Sequence, residues 1–172
     1  MKNEMKNRLL AAIEGFHLPR YAELPSVGLY LEQTVQYING VLSPLGYLEL
    51  TSSMVSNYVK KGYLPPPVKK RYSADQIAML IYIVIAKTAL SMDHICQMQE
   101  LQRRSYSIPV AYDYMCSELE NVLFYQFELK DSLDKIGTTH SFEKTMFRSV
   151  IMAVTQIIYL HLWLNTMDEA SV

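Results

Sequence analysis

Apolar residues recur at Leu31, Val35, Ile38 and Leu42, with Val27 one step earlier, in steps of four, four, three and four. That spacing puts all five on one face of a helix. An amphipathic helix is likewise predicted over residues 2–14, with Gly15 as its stop. Pro19 and Pro25 then frame an irregular link, and Ser43-Pro44-Leu45-Gly46 breaks the helix that ends near Leu42. Two runs are apolar on nearly every side, Ile77–Leu90 and Ser149–Leu164. Both read as buried helices, because each falls short of the roughly 18–20 uninterrupted apolar residues that a bilayer span requires.

Polar residues at the helix starts sharpen the boundaries. Thr51 is placed to cap a short helix, SSMVSNYVKK, that ends at Gly62. The stretch Pro65-Pro66-Pro67 cannot be helical. Ser73-Ala74-Asp75-Gln76 has the capping-box pattern, in which Ser73 accepts from the Gln76 N–H and Gln76 reaches back. Ser91 caps a further helix over about 93–102, and Pro109 marks the next boundary. Two long helices are predicted beyond it, over about 112–136 and 141–166, and the short link between them implies an antiparallel hairpin. The fold class is therefore all-α. Three segments follow: an N-terminal helix and linker over 1–25, a central domain over 26–108, and a C-terminal hairpin over 109–172.

Charge changes the picture only locally. The 172 residues carry a formal net charge of −1, so there is no global basic signature. Between Leu50 and Ser73, however, no acid occurs, while Lys60, Lys61, Lys69, Lys70 and Arg71 all do. The stretch 112–136 holds Asp113, Glu118, Glu120, Glu128, Asp131 and Asp134 against two lysines. Cations on a short capped helix and on the loop after it suit phosphate, because they displace counterions condensed on DNA.

The string from Thr51 to Ile95 resembles the DNA-binding domain of MerR-type regulators. Tyr58 and Gly62-Tyr63-Leu64 match the exit of a recognition helix. Lys69-Lys70-Arg71-Tyr72-Ser73 matches a basic wing and its close. Asp75-Gln76-Ile77 and Leu90-Ser91-Met92-Asp93-His94-Ile95 match the helix and turn that follow. More closely, the stretch from LPRYAELP to the Ser91 turn is similar to a family of small bacterial proteins catalogued as domain of unknown function 1836. The MerR resemblance implies a winged helix-turn-helix and double-stranded DNA as partner. The helix from Ser52 to Lys61 would enter the major groove, with Asn57 reading a base edge and Ser53 and Ser56 near bases or phosphates. Lys60, Lys61, Lys69, Lys70 and Arg71 would meet phosphates and position the protein. Serines stand at 53 and 56 where that family usually carries arginines. The turn before Thr51 is also longer than in a compact helix-turn-helix.

Such proteins bind paired half-sites as dimers, so a homodimer through the C-terminal helices is expected. The stripe Phe142, Phe147, Ile151, Val154, Ile158 and Leu162 could serve that contact, the core, or the wall of a pocket for a small-molecule effector that no residue identifies. The second reading is a protein-interaction module of helix-turn-helix shape that binds no DNA and meets an acidic partner or its own acidic 112–136 helix, which would fold over the basic loop. An enzyme is not expected. His17, His94, His140 and His161 are scattered, His94 and Cys96 do not share a helix face, and no glycine-rich phosphate loop or nucleophile elbow occurs. No metal, cofactor or membrane is expected, and with two cysteines and no signal-like N-terminus the expected location is the cytoplasm.

Overall fold

The computed structural model describes residues 2–137 and 139–169. Among them lie seven α-helices: α1 (Lys2–Glu14), α2 (Leu31–Leu42), α3 (Ser52–Lys60), α4 (Ala74–Ala86), α5 (Met92–Arg103), α6 (Ile108–Gln126) and α7 (Phe142–Glu169). The all-α class is as the periodicity predicts. The only strand-like pairings among the described residues are single bridges, Leu29 with Tyr72 and Val68 with Arg71.

The centre of the molecule is α4. Every residue from Gln76 to Ala86 is buried, which explains why this run is apolar without a polar stripe. Its start is the capping box read from the sequence: Ser73 N–H donates to Gln76 Oε1 at 2.9 Å, and Gln76 N–H to Ser73 Oγ at 3.4 Å. Around α4 a single hydrophobic cluster takes residues from α1 (Leu9, Ile13), α2 (Ile38, Leu42), α6 (Met115, Leu119, Leu123) and α7 (Phe147, Ile151, Val154, Ile158). The face of α2 is shifted from the expected one. Val27 lies outside the helix and is 69% exposed, while Thr34, Ile38 and Leu42 are buried.

The segment between α1 and α2 is pinned to α6 by the acids of that helix. The Arg20 guanidinium donates to both carboxylate oxygens of Glu120, at 2.9 and 2.6 Å, and Leu18 N–H donates to Glu120 Oε1 at 2.8 Å. Tyr21 N–H donates to Asp113 Oδ1 at 2.6 Å.

The C-terminal helices depart from expectation in two ways. First, α6 stops at Gln126, ten residues short of the Ile136 boundary the sequence suggests. Phe127 is buried as the C-cap, Glu128 turns into the left-handed region at φ 59°, and Leu129 N–H closes on Phe124 O at 2.8 Å. Second, α6 and α7 run parallel rather than as an antiparallel hairpin. Their contacts ascend together: Tyr114 with Phe147, Glu118 with Arg148, Gln126 with Gln156 and Phe127 with Tyr159. Residues 127–137 and 139–141 therefore travel back along α6. Asn121 holds them there, donating to Asp134 O at 3.0 Å and accepting from Asp134 N–H at 2.9 Å.

The last helix is long and apolar enough to cross a membrane by length and composition over Phe142–Met167. It is not the fully buried helix that the sequence suggested. The stripe Phe147, Ile151, Val154, Ile158 and Leu162 lies in the core, whereas Phe142 is 66% exposed. On the outer face Leu160, Leu164 and Met167 are exposed too.

Candidate nucleic-acid interface

Between α2 and α3 the chain makes a longer connection than a tight turn, and its geometry is fixed by one side chain. Asn39 of α2 donates from Nδ2 to Leu50 O and accepts at Oδ1 from Leu50 N–H, both at 2.8 Å. A side-chain amide carries a donor and an acceptor side by side, so Asn39 satisfies both backbone groups of Leu50 and sets where α3 begins. Leu45 and Leu50 are buried beneath the connection, and Tyr47 stacks on His161 of α7 with ring centroids 3.9 Å apart. Thr51 then caps α3, accepting from Met54 N–H at 3.2 Å.

Val55 and Tyr58 point α3 into the core, and Ser53, Ser56, Asn57 and Lys60 stay exposed. Lys61, its C-cap, is exposed as well. Tyr58 is fixed by Lys87 at the end of α4, whose ammonium donates to the phenol oxygen at 3.0 Å and lies 5.4 Å from the ring centre.

The 65–72 loop is fastened at three levels. At its base, Gln76 Nε2 donates to Pro65 O at 2.8 Å. At its return, Leu29 and Tyr72 exchange backbone hydrogen bonds at 3.0 and 2.8 Å, and burial pushes the Tyr72 phenol above its ordinary pKa. At its tip, Val68 and Arg71 exchange backbone hydrogen bonds around Lys69 and Lys70, both at positive φ, 49° and 63°. Two central residues with φ > 0 define a type I′ hairpin turn, a conformation normally given to Asn-Gly. Here it presents two adjacent exposed lysines.

Arg71 is exposed but not loose. Its guanidinium donates to Gly28 O at 3.0 Å and to Tyr30 Oη at 3.2 Å, and its carbon sits 4.5 Å from the Tyr30 ring centre. Sequence reasoning gave Arg71 to phosphate alone and missed Tyr30 and Gly28, because the pairing spans some forty residues without a local signal. Gly28 is required by this contact: a Cβ there would stand 2.9 Å from Arg71 Cβ and 3.3 Å from Tyr72 O.

Among the described residues none of the five cations is paired with an acid. Four of the six acids of the 112–136 stretch are engaged elsewhere: Glu120 with Arg20, Asp113 with Tyr21, Glu128 with Lys6 and Asp134 with Lys130. The masking of the basic loop by that stretch, one form of the second reading, is not the arrangement in the structure, where all five cations are exposed. One acid does stand close to α3. Glu32, in the first turn of α2, accepts from Ser52 Oγ at 2.8 Å.

These features define an all-helical protein with a capped, outward-facing helix beside a rigid basic turn. Residues 19–115 match the family described as Domain of unknown function (DUF1836), and the chain belongs to that family. No curated protein and no solved structure matches the chain.

Proposed function

We propose that the chain is a DNA-binding transcriptional regulator of the MerR-like winged helix-turn-helix type. In this reading α2 and α3 are the helix-turn-helix, α3 enters the major groove, and the 65–72 turn is the wing on the phosphates. The observation that carries it is the exposure of Ser53, Ser56, Asn57, Lys60, Lys61, Lys69, Lys70 and Arg71 together, with no acid paired to any of the five cations among the described residues. Asn57 can pair bidentately with adenine, and the lysines supply position rather than sequence.

One module of this size contacts too little DNA for tight binding, so the regulator acts as a homodimer on two half-sites. The outer face of α7 suits that role. From Ser149 to Met167 the helix carries no Asp, Glu, Lys or Arg, and Met152, Leu160, Leu164 and Met167 are exposed along it. An uncharged stripe of this kind is what the centre of an interface requires.

The test is selection of bound sequences from random duplex DNA, followed by salt titration of the winning site. A palindromic or directly repeated pair of half-sites and an affinity that falls with salt are expected. Changing Lys69 and Lys70 to alanine should weaken binding about tenfold or more and flatten the salt dependence by about two in log–log slope. Glu32→Gln should tighten binding, because it removes a negative charge beside α3. Absence of binding above background at low salt would overturn the reading.

A further inference from the structure

A wide cleft with a chemically distinctive floor lies away from the basic turn, between α6, the returning segment and the first three turns of α7. It encloses about 530 Å3. A volume of this order is in the range of small-molecule sites. Its walls bring together Lys135, Lys144 and Arg148, and among the described residues the single acid that lines it is Glu118.

Glu118 is fully buried. Its Oε1 accepts from the Tyr114 hydroxyl at 3.0 Å, while Oε2 has no hydrogen-bond partner. The nearest cation is Arg148 Nε at 3.9 Å, beyond hydrogen-bond length. A buried carboxylate oxygen without a donor is costly, and such atoms are rare in folded proteins. Opposite it, Lys144 has no acidic partner among the described residues. Its ammonium donates to Thr139 Oγ1 at 2.7 Å and lies 5.4 and 5.8 Å from the ring centres of Tyr114 and Tyr106. Gly137, at φ 79°, lies close to the lysine: a Cβ there would stand 3.0 Å from Nζ.

We infer that this cleft binds a small zwitterion carrying both an ammonium and a carboxylate, of the free amino-acid class. The ligand carboxylate meets Lys144 and Arg148 at the rim, and its ammonium donates to Glu118 Oε2. Binding turns the partly exposed Arg148 side chain from Glu118 toward the ligand carboxylate, which uncovers that oxygen. The sign of the charges selects the class. A simple anion would meet the rim cations but leave the buried carboxylate without a donor. A simple amine would satisfy Glu118 but add charge beside three cationic side chains. Only a ligand with both groups answers both sides. The inference is independent of DNA binding, since it draws on no residue of α3 or the basic turn.

The experiment is a thermal-shift screen of the purified full chain with each of the twenty L-amino acids, followed by calorimetric titration. Butyrate serves as the carboxylate alone and butylamine as the ammonium alone. At least one amino acid should raise Tm and titrate to one site, with neither butyrate nor butylamine doing so. Glu118→Gln and Arg148→Gln should each weaken that binding at least tenfold. If Glu118→Gln does not fold, Arg148→Gln and Lys144→Gln decide, because both side chains reach the surface. The inference fails if no amino acid binds, if butyrate or butylamine binds as tightly, or if the variants that fold bind as the parent does.

Discussion

Lys69 and Lys70 hold a backbone conformation that lysine disfavours, at φ 49° and 63°. Left-handed φ costs a residue with a Cβ about 1 kcal/mol or more. Placing Asn and Gly there (Lys69→Asn with Lys70→Gly) should therefore stabilise the chain by about 1–2 kcal/mol, read as a rise in Tm of a few degrees. The same double change should lower affinity for the selected DNA site by removing two phosphate contacts. A rise in Tm with unchanged DNA affinity would show that the lysines do not touch phosphate. Stability given up at a binding surface is a common trade in proteins. At the same scale, Arg71→Ala should loosen the turn as well as weaken DNA binding, because its guanidinium also ties Gly28 and Tyr30 to the turn.

At the scale of elements, α2 and α3 depend on Asn39. Asn39→Ala leaves a half-buried backbone N–H and C=O of Leu50 without their partner, a loss of about 2 kcal/mol. Urea denaturation should show that loss, with Asn39→Asp recovering only the acceptor half of the clamp. How far such elements could be read from the sequence follows the range of the interactions that fix them. Thr51, Ser73 with Gln76, and Ser91 act within one helical turn, and the starts of α3, α4 and α5 were legible to a residue or so. The end of α6 was not. Leu129, Leu133 and Ile136 continue a helical apolar rhythm, and no glycine interrupts it before 137. What stops the helix is Glu128 in the left-handed region, with the chain beyond it recaptured by Asn121, and neither leaves a local mark. The candidate site divides in the same way. The exposure of its serines and lysines follows from the helix period, while the Arg71–Tyr30 contact depends on a distant segment.

For the whole molecule, buried or hydrogen-bonded phenol and thiol groups set an alkaline limit. Burial pushes the Cys116 thiol from its ordinary 9.0 up to about 12. Burial, aided by the bond to Glu118, takes the Tyr114 phenol from 10.0 to about 12, and the hydrogen bond to Asp75 takes Tyr21 to about 12. Each group has a folded pKa above its unfolded one. Its contribution is fully present below the unfolded value and is lost as pH rises through the folded value. Tm should hold steady up to about pH 9 and fall between pH 9 and 12, a course that calorimetry would follow. The parallel course of α6 and α7 bears on how this molecule forms at all. An antiparallel pair closes outward from its turn, each new contact lying next to the last. Here the chain must first finish α6 and turn back along it, as residues 127–137 do, before α7 meets its partner. The α6–α7 contacts thus close a large loop before they gain any area, which makes them late events in folding. Half of the zwitterion cleft and the proposed dimer face belong to this last piece. Ligand and partner copy would therefore find their sites only once the C-terminal helix has docked, and stopped-flow refolding monitored at Trp163 of α7 should show that step as the slowest phase.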